Sequence, residues 1–438
     1  MNNSNNVSRR QFLCHGAGLA TATVAVPYLI PSGVLAAPGR PGPNDRIGIA
    51  GIGIGRQGSG VLANAVRAKQ CRFIGIADVN QPRAEETCKR LGGGAAYQHY
   101  RKLLDRKDVD AIVTATPEHW RALICIHACQ AGKDIYAEKP VSLTIREGRL
   151  MVQAARKYNR VFQVGSQQRS MNINQAGCKM VREGGLGKIN KIIVMNYPSP
   201  FYCGLPGEPV PTGLDWDLWC GPTEPVPYHP QLYVPRGKPG WLSFRPYSGG
   251  EMTGWGAHGF DQVQSALGMD ESGPVEVWVE GEKYNPPTIA APEPNSRPNK
   301  ICSEPRVFFR YADGVVLEPG KSPGFGAVFV GEKGKATIDR GKFTSDPPDL
   351  AREALKGVAN KESHVENWLD CIKTRRKPNA DIEIGHRSAT VCHLGNIARW
   401  TNHKLRWDPV KETFPDDADA NSYLDRKRRK PYELPEQI

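Results

Sequence analysis

Between residues 46 and 165, short apolar runs alternate with amphipathic stretches. Arg46-Ile47-Gly48-Ile49-Ala50-Gly51-Ile52 reads as a buried strand followed by glycines, and Val61 to Lys69 as a helix. Arg72 to Asp78 forms a second apolar run that ends on an acid, and Pro82 to Leu91 is a helix with proline in its first turn. Ala111 to Thr116 is a strand stopped by Pro117, and Trp120 to Ala131 a helix closed by Gly132. Asp134 to Glu138 is a strand stopped by Pro140. Ile145 to Tyr158 is a helix, and Val161 to Gly165 a further strand. Strand and helix alternating at this spacing predict a parallel sheet covered on both faces.

The pattern then changes. Residues 198–250 are dense in Pro, Gly, Trp and Tyr, including Trp216, Trp219, Tyr228, Tyr233, Trp241 and Tyr247, and read as a long loop whose aromatics either stack on a sugar or pack within the loop or a subunit contact. Later β-branched and aromatic runs predict strands at Lys191–Met195, Val275–Glu280, Arg306–Tyr311, Gly326–Gly331 and Lys335–Asp339. Asp313-Gly314 and Lys333-Gly334 are turn dipeptides and predict antiparallel pairing. Helices resume at Glu362–Lys373 and Gly385–Thr401, and no internal repeat is visible.

Composition narrows the class. The 438 residues are 39% apolar and 24% charged, which fits two or three folded domains and excludes pervasive disorder. The first 37 residues read as a cleavable signal. Ser8-Arg9-Arg10-Gln11-Phe12-Leu13 is a twin-arginine signature, a weakly apolar run follows, and Val34-Leu35-Ala36-Ala37 offers small residues for cleavage. Export to the periplasm or the medium is expected, in the folded state, with no membrane anchor. The formal charge of +13 falls by two when Arg9 and Arg10 leave. Arg426-Lys427-Arg428-Arg429-Lys430 concentrates much of the remainder in a tail, which reads as a solvated end. No nucleic-acid module accompanies it, so no nucleic-acid partner is expected. The cysteines past Cys14 form no CxxC pairs and read as buried thiols rather than metal ligands.

Gly51-Ile52-Gly53-Ile54-Gly55-Arg56-Gln57-Gly58 sits where the first strand meets the first helix. Gly53, Gly55 and Gly58 satisfy GxGxxG, and Gly51 with Gly53 gives a second register. Glycine there lets backbone approach a pyrophosphate at a helix N-terminus. Asp78, ending the second strand, is placed to accept from adenosine ribose hydroxyls and to repel a 2′-phosphate. NAD is therefore expected as cofactor, while Arg56, able to pair with phosphate, keeps NADP open. Ala137-Glu138-Lys139-Pro140 puts a lysine at a strand end, over the edge where ligands bind in open α/β sheets. A cis Lys139–Pro140 bond would fix its direction. A lysine with a lowered pKa can hold or relay a hydroxyl proton.

Thr114-Ala115-Thr116-Pro117-Glu118-His119-Trp120, the segment Ala131 to Pro140 and Val164-Gly165-Ser166-Gln167-Gln168-Arg169-Ser170 together resemble the Gfo/Idh/MocA oxidoreductases. Gly213 to Pro222 and Gly249 to Asp261 do so too, and the likeness is strongest to the exported, glucose–fructose oxidoreductase-like branch. The resemblance implies a Rossmann domain at residues 38–165 and an α/β domain with a large, mostly antiparallel sheet at 166–410. A basic tail follows at 411–438. It implies hydride transfer between a nicotinamide and a sugar or polyol, and a homo-oligomer, dimer or tetramer. Lys139 matches the lysine working near the reacting hydroxyl, and His258 the proton acceptor or donor. Asp261, three residues on, is placed on the same helix face either to support His258 or to serve the structure. Cofactor contacts are expected from Gly51, Gly53, Ile54, Gly55, Arg56, Asp78, Thr116, Pro117, His119, Glu138, Lys139 and Gln167.

Two positions depart from the family pattern: Gly254 stands where an Asp is common, and Arg121 where many relatives have His. Three readings follow. One is a sugar or polyol oxidoreductase with tightly held cofactor. The second is glycoside cleavage through transient oxidation and elimination. The third is a non-catalytic carbohydrate-binding relative.

Overall fold

β1 (Ile47–Ile52) is buried at every residue, with strands on both edges and a packed core over each face. With β2 (Cys71–Ala77), β3 (Ala95–Tyr97), β4 (Ala111–Thr114), β5 (Asp134–Ala137) and β6 (Phe162–Val164) it makes an all-parallel sheet ordered β3-β2-β1-β4-β5-β6. The order reverses between β1 and β4, so a crevice opens above their carboxyl ends, where α/β sheets bind ligands. Side-chain oxygens start the flanking helices. Asn80 accepts from the Arg83 amide at the head of Gln81–Arg90, and Thr144 from Glu147 at the head of Ile145–Lys157. The short strand β3 and the helix Tyr100–Leu104 had no pattern long enough to read from the sequence.

The computed structural model describes residues 45–237, 239–292, 302–359 and 363–438, and its helices and strands lie in one compact unit, Ile47–Ile438. The expected signal at 1–37 falls outside the described residues.

The second sheet has eight strands. They are β7 (Ile189–Val194), β10 (Glu276–Glu280), β12 (Arg306–Arg310), β13 (Val316–Pro319), β14 (Ala327–Gly331), β15 (Gly334–Asp339), β16 (Lys342–Asp346) and β17 (Leu405–Arg406). Their order is β16-β15-β14-β7-β13-β12-β10-β17, and every pair is antiparallel except β7 with β13. Lys333-Gly334 turns β14 into β15, as the sequence predicted, and Asp313-Gly314 turns β12 antiparallel into β13, a strand the sequence reading did not include. Helices Asn172–Arg182, Gly256–Leu267 and Ile382–Thr401 cover one face of this sheet. The shared core includes Ile192, Phe260, Phe309, Phe329 and Leu394.

Not every segment beyond residue 166 stays with the second sheet. Helix His364–Thr374 returns to the first sheet and packs Trp368, Leu369 and Ile372 against Ile49, Leu62 and Tyr136. Helix Ile382–Thr401 is buried almost throughout because it serves both cores. Ile382 and Ala389 belong to the first, Val391 and Ile397 to the second.

Residues 198–250 are not one long loop. They build their own core around β8 (Phe201–Cys203) and β9 (Phe244–Arg245), which form a small parallel sheet with β11 (Thr288–Ile289). Trp216 stacks on Trp219 at 4.3 Å between ring centroids, and Tyr228 meets Trp216 edge-on. Aromatic burial here replaces the regular ladders that the prolines forbid.

The basic tail is not a solvated end. Arg426 and Arg428 both reach the buried Glu147 at 2.9 Å, Arg429 pairs with Asp217, and Tyr432 packs edge-on against Trp120. Burial alone would raise the Glu147 pKa, but the two guanidiniums bring it down to about 2. The ten described cysteines are free thiols, most of them buried. Among the described residues no helix is long and apolar enough to cross a membrane.

Candidate active site

A cleft of ≈ 990 Å³ runs above the carboxyl ends of β1 and β4 and between the two sheets. Its floor is the glycine turn, where the three glycines of the Gly53 register do different work. Gly53 has φ +68°, and a Cβ there would lie 2.2 Å from Thr116 Cγ2. Gly55 faces open space, with nothing within 4 Å of a Cβ position. Gly58 sits in the first turn of helix Arg56–Arg67, and a Cβ would crowd the Gly53 carbonyl at 3.1 Å and Ala115 at 3.2 Å. Turn, open approach and helix-to-strand packing are what a pyrophosphate cradle needs. Gly51 belongs to the strand and packs on Ile54 and Leu62 behind the turn, which decides between the two registers and removes Gly51 from the cleft lining. The helix has no side-chain N-cap and no acid in its first turn, so its N-terminal amides remain for an anion.

Asp78 lies at the edge of the turn. Its carboxylate accepts from the Ile54 amide at 2.8 Å and the Asn80 amide at 2.9 Å, and Arg83 stands 3.7 Å away. Burial raises its pKa, against the pull of Arg83 and the two amides. Ile54, Arg56, Thr116, Pro117, Glu138, Lys139 and Gln167 also line the cleft, as expected. Gln57 donates to Glu138 at 3.0 Å, tying the glycine turn to the end of β5.

Lys139 and His258 meet in the same cleft although they lie far apart in the chain. The Lys139–Pro140 peptide is cis. Lys139 Nζ donates to the Gly254 carbonyl at 2.8 Å, and burial lowers its pKa. The residue standing where relatives carry Asp thus holds the lysine through its backbone. A Cβ at Gly254 would lie 2.4 Å from Glu251 Oε2, so the Glu251–Arg236 ion pair, at 2.9 and 3.0 Å, fills the space of the missing carboxylate. His258 lies in the first turn of helix Gly256–Leu267 and packs edge-on against Phe325 at 5.6 Å. Burial first, then the charges of Lys139, Arg340 and Arg236, drive its pKa well below 6.5. At neutral pH it is an uncharged imidazole able to accept a proton.

Two expected residues face elsewhere. The carboxylate of Asp261 takes Arg169 at 3.0 Å and the Ser388 hydroxyl at 2.7 Å, so it anchors helix Gly256–Leu267 instead of supporting His258. His119 lies outside the lining. Its Nε2 meets the Trp219 carbonyl at 2.9 Å, and burial pushes its pKa down to about 3. It joins helix Glu118–Gln130 to the aromatic core. Arg121, replacing the histidine of many relatives, is buried and donates to the Pro140 and Thr116 carbonyls, clasping the ends of β4 and β5.

Several lining residues had no sequence signal. Glu118 accepts from Ser248 at 2.7 Å and the Gly249 amide at 3.0 Å, and burial raises its pKa to about 7. Arg236, Tyr233, Phe325 and Arg340 come from three distant segments. Only the density of aromatics at 198–250 hinted at any of them.

A glycine cradle with an acid at the second strand, beside a lysine and an imidazole from separate domains, defines a dinucleotide-binding protein of two α/β domains. Residues 46–166 match the profile described as oxidoreductase family, NAD-binding Rossmann fold. Residues 179–434, more than half the chain, match oxidoreductase family, C-terminal alpha/beta domain. The chain belongs to the Gfo/Idh/MocA oxidoreductase family, and its cofactor is NAD. It is 33% identical over 114 residues to levoglucosan dehydrogenase of Pseudarthrobacter phenanthrenivorans, covering 26% of this chain and 29% of that one. It is 30% identical over 161 residues to a glycosyl hydrolase family 109 protein of Shewanella pealeana, covering 32% and 35%. The matches thus span about a third of these relatives. A solved levoglucosan dehydrogenase in complex with NADH and levoglucosan shares the fold, with TM-score 0.56 and 17% identity over 82% of this chain and 99% of that one.

Proposed function

We propose that the protein is an exported oxidoreductase that moves hydride between firmly held NAD and a sugar or polyol. The observation that carries this is the convergence of Lys139, from the end of β5, and His258, from the second domain, in the cleft over the glycine turn. NAD, when bound, supplies the hydride acceptor at its nicotinamide. The protein manages the proton. Lys139 orients the alcohol oxygen while anchored on the Gly254 carbonyl, and neutral His258 takes the hydroxyl proton as the carbon gives up hydride. The carbon loses two electrons with the hydride, and the ketone or aldehyde remains. Closing the site between two sheets keeps water from the reduced ring.

The export signature at Ser8 to Leu13 motivates firm retention, because a coenzyme made in the cytoplasm has to travel with the folded chain. Retention implies that a second substrate re-oxidises it in place. A homo-oligomer is proposed through the uncovered face of the large sheet, where Trp278 stacks on Phe308 at 5.4 Å and Arg310 lies over Trp278. The test is to purify the mature protein from the periplasm, denature it and assay the released nucleotide, then follow ketone formation from a polyol panel. Empty protein and no turnover across the panel would sink the reading.

A second reading, glycoside cleavage by transient oxidation and elimination, draws support from the likeness to a glycosyl hydrolase family 109 protein. It predicts solvent deuterium at the carbon beside the oxidised one with no net NADH. Simple oxidation predicts none.

A further inference from the structure

Not every charged group at the substrate end of the cleft has a charged partner in contact with it. Arg236 is matched by Glu251 through two hydrogen bonds. Glu118 is satisfied by Ser248, Gly249 and Thr253, and Glu138 by Gln57. Lys139 rests on a carbonyl. Arg340, in the turn between β15 and β16, is different. Among the described residues no carboxylate lies within ion-pair distance of it, and its one hydrogen bond is a long contact of 3.4 Å to Gln168 Oε1. Asp339 and Glu138 act on it only at a distance. Its guanidinium carbon lies over the Phe325 ring, 3.9 Å from the centroid, and the same ring abuts His258. The fork is therefore held beside the proton acceptor, half out of water, with most of its N–H donors unused.

A half-desolvated guanidinium costs free energy unless an anion completes it, and the contact with the ring holds it where that anion docks. A planar fork matches a carboxylate through two parallel N–H···O bonds. A neutral sugar offers hydroxyls but no charge to complete it. We propose that Arg340 binds the carboxylate of an anionic polyhydroxy substrate, a sugar acid such as a uronate, and so sets the substrate class of this site. The proposal rests on the oxidoreductase reading for what happens to the substrate, but not for its binding.

The experiment uses the full mature chain saturated with NAD. Calorimetry measures glucuronate and galacturonate against glucose, galactose and glucose 6-phosphate, and turnover is followed separately. The expected result is binding of a uronate roughly 10–100-fold tighter than the matching neutral sugar, the range for a charge-assisted bidentate pair, weakening as salt rises. Arg340→Gln should erase that preference with NAD affinity unchanged, and Arg340→Lys should restore part of it. Should either variant fold poorly, the wild-type preference and its salt dependence still decide. Equal affinity for acid and neutral sugar, stronger binding of the phosphate, no uronate binding at all, or an Arg340→Gln effect confined to NAD would each overturn the proposal. Uronate binding that depends on Arg340 but produces no hydride transfer would leave it standing and defeat the oxidoreductase reading. Turnover of neutral sugars indifferent to Arg340 would do the reverse.

Discussion

The two ends of the cleft are built in opposite ways. The nucleotide end comes from one stretch, Gly53 to Lys139, in which each strand delivers its ligand-facing residue at its own carboxyl end. The substrate end is assembled from Arg236, His258, Phe325 and Arg340, on separate elements. The first end is specified by backbone: a positive φ, an open glycine, helix amides. The second is specified by side-chain charge, through the Arg236–Glu251 pair, the buried imidazole and Arg340 over Phe325. Backbone devices suit a ligand whose phosphates and ribose never change. Side-chain devices can be exchanged one at a time.

The comparison breaks most visibly at Lys139, where the two ends touch. Lys139→Ala should lower turnover about 10²–10⁴-fold, the range for a lost proton-handling group, and leave NAD affinity within a few-fold. If NAD binding fell in step with turnover, the lysine would belong to the nucleotide end.

A glycine pair sharpens the backbone half. Gly53→Ala must place a side chain at φ +68° and 2.2 Å from Thr116, so both melting temperature and NAD affinity should fall, the latter roughly 10–100-fold. Gly55→Ala, with open space around it, should fold with unchanged melting temperature and still bind NAD more weakly. Equal melting losses in both variants would deny Gly55 its cradle role.

Asp78→Asn should cost about tenfold in NAD affinity, the worth of one charge-assisted hydrogen bond, and narrow the discrimination against NADP. An unchanged coenzyme ratio would mean that Asp78 serves only the Ile54 and Asn80 amides.

The smallest expected effect concerns pH. The Glu118 carboxyl titrates near 7 when folded, against 4.5 as its ordinary value, because it is buried. The folded state therefore holds a proton that the unfolded state releases. Glu118 contributes stability fully present below 4.5 and lost as pH rises towards about 7. In Glu118→Gln that part of the decline in melting temperature should vanish, and parallel profiles for both proteins would refute it. His258, already neutral by burial, should produce no fall in oxidation rate around pH 6.5.

Much was legible in the chain. β1, β2, β4, β5 and β6 and their helices followed from apolar runs and their stops, because local periodicity mirrors burial in a parallel sheet. Lys139 and Asp78 were legible as residues at strand ends. The short β3, β16 and β17 were not, since they lack the run of β-branched or large apolar residues that marked β4 and β5, and β13 was missed as well. Residues 198–250 misled, because prolines and aromatics look like loop until the aromatics are seen to share a core. Asp261 looked like a partner for His258 by helical spacing, yet Arg169 and Ser388 claim it. The tail looked solvated, and only the buried Glu147 explains why Arg426 and Arg428 fold back.

By itself the sequence determined the nucleotide turn, its acid and the lysine at the end of β5, because strand, turn and helix are encoded by neighbours a few residues apart. Only tertiary structure decided which charges at the far end are satisfied and which are not. Pairing between residues such as Arg236 and Glu251, or its absence at Arg340, depends on where separate segments come to rest, and no local pattern records that.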